Sequence, residues 1–332
     1  MKITIKDIAN EAGVSTATVS KILNKKDHNI SEKTRKKVLG IIKEKNYIPN
    51  TVARSLVTKQ TKTIGLVIPD ITNPFFPELV RGAEDCASAY GYNIFFCNTD
   101  DKIEKEEKYI NMLVEKMVDG IIFTQSANNN EEFNHLNQIR KPMVLIDRDI
   151  DIPNIKGKVL VDNFNGAYKG VSYLIRKGYK EIAFISGPFS TKTSLDRLEG
   201  YKKALKENDI FFEDTFVVEG EYKEGWGKKA IEILMSKNIS FDAVFCANDI
   251  IALSAMKFLK EVGMCIPEDV GILGYDDIYM AKLIEPALTT ISQPNYKMGY
   301  EAVKLLIEII ENGKAKEPLV RLNTELVVRQ ST

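Results

Sequence analysis

The stretch TIKDIANEAGVSTATVSKILN, residues 4–24, decides how the rest of the chain is read. Ile5, Ile8, Ala9 and Ala12 recur at helical spacing, and Thr4 followed by Asp7 is a conservative form of the capping box that starts a helix. Gly13 ends this helix. Ser15 caps a second one, which buries Val19, Ile22 and Leu23 and turns Thr16, Ala17, Ser20 and Lys21 outward. A helix that only has to stay soluble carries long charged residues on its outer face. Here that face is trimmed to short side chains with one cation at its end. Such a face fits a major groove about 12 Å wide, with Thr and Ala methyls near thymine and Lys21 near guanine or phosphate. Ser31 caps a third helix that runs to Lys45, and its Val38, Leu39, Ile41 and Ile42 close a three-helix core. Helix, glycine turn and helix at this spacing form the helix-turn-helix pattern.

Charge supports the same partner. Residues 1–60 hold thirteen Lys and Arg against five Asp and Glu, a net +8, and the remainder of the electrically balanced chain carries −8. A small basic head on a large acidic body points to a polyanion, nucleic acid first. The 332 residues suit two or three compact units, and 44% hydrophobic content is enough for real cores. No apolar run reaches membrane length, and MKITIKDIAN has no apolar export segment, so a cytoplasmic protein without membrane contact is expected. Cys86, Cys97, Cys246 and Cys265 lie far apart, and His28 and His135 are the only histidines. That set makes no typical metal site, and the expectation is reduced buried thiols with no metal and no cofactor.

From residue 61 onward, apolar runs of strand length alternate with amphipathic helical segments. The strands read from the sequence are 63–69, 92–97, 119–124, 142–146, 158–161, 181–186, 215–219, 242–246, 269–274 and 288–291. Such alternation implies parallel sheets with helices on both faces, and ten strands suit two doubly wound subdomains better than one sheet. Ligands of these sheets bind beyond the carboxyl ends of the strands. That rule selects Asn73, Phe75, Phe76, Asp147, Arg148, Tyr222, Asn248, Asp249, Asp276 and Gln293, polar forks and aromatic faces that suit a polyhydroxylated ligand. Each also has a plainer explanation: Asn73 before Pro74 is a good helix start, Asn248 or Asp249 can cap the next helix, and the phenylalanines can be core. No GxGxxG or GxxxxGK[ST] loop competes for phosphate.

The opening stretch, followed by TRKKVLGIIKEKNYIPNTVARSL (34–56), resembles the N-terminal domain of the lactose/galactose repressor family (LacI/GalR) almost position by position. DITNPFF, LIDR, SGP, DRLEGY, ANDIIA, GYDD and PALTTISQP extend the resemblance over the effector-binding core, which is similar to periplasmic sugar-binding proteins. The resemblance implies a helix-turn-helix domain (1–48), a hinge helix and linker (49–60), and an α/β core of two subdomains, 61–161 with 292–321 and 162–291 with 322–332. It also implies DNA contacts from Thr4, Lys6, Ser15, Thr16, Ala17, Thr18, Ser20, Lys21 and Asn24, and from Asn50, Ala53, Arg54 and Leu56 in the hinge, where leucine wedges into a minor-groove step. Read against ribose-binding members, Asn73, Phe75, Phe76, Asp147, Arg148, Arg197, Tyr222, Asn248, Asp276 and Gln293 fall on the sugar contacts. Tyr222 stands where phenylalanine is usual, with Trp226 the alternative for its role.

The expected function is therefore a transcriptional repressor that binds a palindromic operator as a homodimer and responds to a small sugar, ribose or a related pentose. The tail LNTELVVRQST has no heptad repeat to join dimers into a tetramer. A catabolite-control regulator answering to a phosphoprotein or phosphorylated metabolite is the alternative within the family. A transport protein would need an export signal and has no use for the basic head. An enzyme would need a catalytic pair, and the carboxylates at the strand ends read more simply as acceptors for hydroxyls.

Overall fold

The computed structural model describes residues 3–48, 60–126, 136, 139–150, 152 and 154–332, and the chain divides into two compact units, Met1–Thr61 and Lys62–Thr332. Among the described residues of the first there are three helices: α1 (Ile5–Ala12), α2 (Thr16–Leu23) and α3 (Glu32–Glu44). Thr4 donates to Asp7 Oδ2 from its backbone N at 2.8 Å and from Oγ1 at 2.7 Å, which starts α1. Gly13, at φ +70°, ends it in the left-handed region that glycine enters without cost. Ser15 Oγ and Ser31 Oγ accept from Thr18 N and Thr34 N, at 3.1 and 3.2 Å, and so cap α2 and α3. The core is Ile8, Ala9, Ala12, Val19, Ile22, Val38 and Ile41, with Leu23 and Ile42 partly buried against it. Leu39 does not join it and is 45% exposed. Val38, Ile41 and Ile42 already define the inward face of α3, and Leu39 lies about 100° round the helix from Val38.

The second unit contains two six-stranded sheets. β1 (Thr63–Ile68), β2 (Asn93–Asn98), β3 (Gly120–Phe123), β4 (Met143–Ile146), β5 (Ile155–Val161) and β11 (Leu319–Leu322) form one, in the order β11-β5-β4-β3-β1-β2. The other takes β6 (Ile182–Ile185), β7 (Val217–Val218), β8 (Ala243–Cys246), β9 (Gly271–Asp276), β10 (Thr289–Ser292) and β12 (Glu325–Val327), ordered β12-β10-β9-β8-β6-β7. Every pairing is parallel except β10 with β12. The helices of this unit with eight or more described residues are α4 (Phe75–Ala89), α5 (Ile103–Glu115), α6 (Asn163–Arg176), α7 (Lys192–Glu207), α8 (Glu224–Ser236), α9 (Asp249–Glu261) and α10 (Asn295–Asn312). α4 and α10 lie close together because both carry glycine at the crossing: a Cβ on Gly82 would stand 1.9 Å from the Tyr296 carbonyl oxygen of α10, and one on Gly299 1.9 Å from the Leu79 carbonyl oxygen of α4.

Each of the ten apolar runs became a strand, with ends shifted by a few residues. β11 and β12 were not read, because they are edge strands of three or four residues, largely exposed, and lack a continuous apolar run. The chain passes between the sheets after β5, after β10 and between β11 and β12. Three short connections therefore join the two sheets.

Candidate effector cleft and DNA-facing helix

In the head, Thr4, Lys6, Ser15, Thr16, Ala17 and Lys21 are exposed, and Thr18, Ser20 and Asn24 are half-buried. Several of the short polar groups already have local partners. Ser15 Oγ lies 3.0 Å from Thr18 Oγ1, and Asn24 Nδ2 donates to Ser20 O at 2.8 Å. Thr16, Ala17 and Lys21 are thereby left as the outward stripe of α2. Asn50, Ala53, Arg54 and Leu56 lie outside the described residues.

In the core, all ten residues read as sugar contacts line one cavity, joined by Thr193. Asn73 Oδ1 accepts from Phe75 N at 3.1 Å, so the turn that starts α4 also places Phe75 and Phe76, whose rings meet edge to face at 4.9 Å. Asp147 and Arg148 follow β4, and Asp147 sits at φ +70°. Arg148 Nη1 donates to Gln125 O at 2.6 Å and to Asp101 Oδ1 at 3.1 Å, and its guanidinium lies 5.9 Å from the centre of the Tyr222 ring. Tyr222 shares a hydrogen bond of 2.7 Å with Ser194 Oγ. Trp226 does not line the cavity, and its indole N–H donates to Ser186 O at 3.1 Å. Arg197, from the second turn of α7, donates from Nε to Asn163 Oδ1 at 2.9 Å and from Nη1 to Ala247 O, and stacks 3.7 Å over Tyr275.

Two polar atoms in this wall are buried without a partner among the described residues. Asn248 uses its oxygen to cap α9, accepting from Ile251 N at 2.9 Å, and its Nδ2 donates to nothing. Gln293 Nε2 donates to Asp276 Oδ1 at 2.6 Å, and its Oε1 accepts nothing. Asp249 is absent from the lining and lies beneath it, fully buried. The cavity measures about 30 Å³, room for about two waters, and borders an outer chamber of about 290 Å³ that shares Asn73, Phe76, Arg148 and Tyr222.

Burial sets the electrostatics. It pushes the Asp276 carboxyl up to about 7, with Arg197 and the Gln293 amide pulling it down and the Asp147 charge adding to the rise. Burial raises Asp147 as well, against the opposing pull of Arg148 and Arg197. Folded Asp276 therefore holds its proton over a range, from about 4 to 7, in which the unfolded chain has lost it, so its contribution to stability declines as pH rises through that range. A ligand hydroxyl donating to the carboxylate favours the ionised form. Effector affinity is expected to rise between about pH 6 and 8, with release of up to about one proton, read by calorimetry in two buffers of different ionisation enthalpy. A flat pH profile would remove Asp276 from the contact set.

Residues 61–328 match the family of periplasmic binding proteins and the sugar binding domain of the LacI family, and residues 4–50 match the lacI family of bacterial regulatory proteins. The chain is 43% identical to the HTH-type transcriptional regulator RegA of Clostridium saccharobutylicum, over 100% of both chains. It is 40% identical to the ribose operon repressor of Halalkalibacterium halodurans, over 99% of this chain and 97% of that one. Its fold matches the crystal structure of the lac repressor dimer bound to operator and the anti-inducer ONPF with a TM-score of 0.87, at 27% identity, over 100% of this chain and 99% of that one. A helix-turn-helix head on a two-lobed ligand-binding core defines a DNA-binding transcription regulator, and its relatives are regulators rather than enzymes. The chain belongs to the LacI family and is a transcriptional repressor of that family with a sugar-binding domain. No helix among the described residues is long and apolar enough to cross a membrane.

Proposed function

We propose that this repressor controls a sugar-utilisation operon from the cytoplasm, and that a small neutral sugar, D-ribose or a related pentose, sets its grip on a palindromic operator by binding in the cleft. The observation that carries this reading is the chemistry of the cavity wall. With both carboxylates ionised, the form a hydroxyl-donating ligand favours, Asp147 and Asp276 balance the guanidiniums of Arg148 and Arg197 and the occupied wall is neutral. A donor without an acceptor, Asn248 Nδ2, and an acceptor without a donor, Gln293 Oε1, stand in the same wall. Hydroxyl groups answer both, because each donates and accepts. A phosphorylated metabolite would bring uncompensated negative charge among buried carboxylates, which is costly. The edge-to-face Phe75 and Phe76 and the Tyr222 ring offer apolar faces for the C–H side of a sugar ring.

Two lobes, 61–161 with 292–321 and 162–291 with 322–332, close on the ligand like jaws, and ligand occupancy shifts the balance between open and closed arrangements. A second copy of the chain covers the exposed apolar groups of the core. β2 is the edge of its sheet, and its consecutive Phe95 and Phe96 are 45% and 41% exposed on opposite faces of the strand. Ile71, Tyr279 and Leu283 add exposed apolar surface. Two heads so paired require a two-fold symmetric DNA site.

Isothermal titration of D-ribose, fructose, galactose and purine bases tests the effector. Ribose is expected to bind, and a hexose or purine binding while ribose stays silent would remove the pentose assignment. On the DNA side, Lys21→Ala is expected to change base preference. Lys6→Ala should instead weaken all sequences alike and lower the slope of log affinity against log salt by about one unit, as loss of a single phosphate contact does. Equal effects of Lys21→Ala on specific and random duplexes would count against its base-reading role.

A further inference from the structure

We infer that Asp249 and Arg329, neither of which lines the cavity, are positioning residues for Asp276: together they hold the turn Asp276–Ile278 in the conformation that presents the Asp276 carboxylate to the sugar. This deepens the proposed function and rests on it for the identity of the ligand. Asp276 and Asp277 have φ values of +112° and +57°, two successive non-glycine residues in a region that L side chains avoid. Such a turn persists only where its surroundings over-determine it.

Two side chains do so from opposite sides. From beneath, fully buried Asp249 accepts from Ile278 N at 2.9 Å through Oδ2 and from Thr290 Oγ1 at 2.6 Å through Oδ1. It fits there because residue 274 is glycine, where a Cβ would lie 2.1 Å from Asp249 Oδ1. From the other side, Arg329 Nη2 donates to Asp277 Oδ1 at 2.6 Å, and Nη1 donates to Leu288 O at 2.8 Å. The segment that carries Arg329 is itself anchored, since Ser331 O accepts from Ile272 N at 2.7 Å and Ser331 Oγ donates to Ile272 O at 2.6 Å. The guanidinium is thus a fork between the turn and the start of β10, which leads directly to Gln293, the partner of Asp276. Burial and the nearby Asp276 charge raise the Asp249 carboxyl well above the ordinary range.

The test compares Arg329→Met, Arg329→Lys and Asp249→Asn with the unaltered full-length protein by two readouts, hydrogen exchange of the peptide spanning 274–280 and D-ribose affinity by calorimetry. Arg329→Met is expected to speed exchange in that peptide while the rest of the core stays protected, and to weaken ribose about tenfold, with Arg329→Lys recovering part of the loss. In an Asp276→Asn background the effect of Arg329→Met on affinity should largely vanish, because its route runs through Asp276. Unchanged affinity, or the same loss in both backgrounds, would overturn the assignment. If the unaltered protein binds no ribose, the pentose reading fails, and hydrogen exchange alone decides: loss of protection confined to 274–280 supports the clamp, and unchanged protection rejects it.

Discussion

Arg197→Met is expected to destabilise the core by about 3–5 kcal/mol and to weaken the effector by about 100-fold. Arg197 is 3% exposed and stands among Asp147, Asp276 and Tyr275, so a neutral side chain of similar length keeps the volume and removes the cation. The carboxylates it faced then become buried charges without their compensating partner, which accounts for most of the cost. The loss has a pH signature. Protonating Asp147 and Asp276 removes the uncompensated charge, so the deficit against the unaltered protein should be largest above about pH 7 and shrink as the pH falls. Calorimetric melting of both proteins across that range checks it. A deficit independent of pH would mean that Arg197 contributes packing rather than charge.

Val19→Asp is expected to abolish specific DNA binding, by at least about 1,000-fold, and to leave sugar binding within about twofold of the unaltered protein. Val19 is fully buried in a core that has seven buried apolar residues among the described ones. A unit this small has little stability to spare, and burying an unpaired carboxylate costs several kcal/mol, enough to unfold it. The core is a separate compact unit with its own hydrophobic clusters and keeps its cleft. Anisotropy with a fluorescent duplex and titration with ribose give the two readouts. Intact DNA binding would show that α2 does not depend on the core assigned to it.

Much of this was legible because it rests on local chemistry. Thr4 with Asp7, Gly13, Ser15 and Ser31 specify where the helices of the head begin and end without reference to anything distant. Buried parallel strands are apolar throughout and stand out as runs. The strand-end rule reached most of the cavity wall for the same reason, since the residue after a strand is fixed by the strand. Arg197 was beyond that rule, because it projects from the second turn of a helix, and only the resemblance to known repressors supplied it. Thr193 was missed because the segment Ser190–Ser194 reads as helix-start chemistry, and Thr191 does cap α7. Asp249 satisfied the strand-end rule yet supports the turn from below, a distinction set by packing against Gly274 and Thr290, which are distant in sequence. Arg329 had no signal at all: its partner Asp277 is fifty-two positions away.

Filling the cleft is expected to change how two paired heads hold DNA. This is tested most directly by measuring affinity for the DNA upstream of the protein's own gene with and without saturating D-ribose, at fixed salt. The account predicts a change of about tenfold or more, and by linkage an equal change in ribose affinity when the DNA is present. Equal DNA affinity in the two conditions, with ribose shown to occupy the cleft, would contradict it.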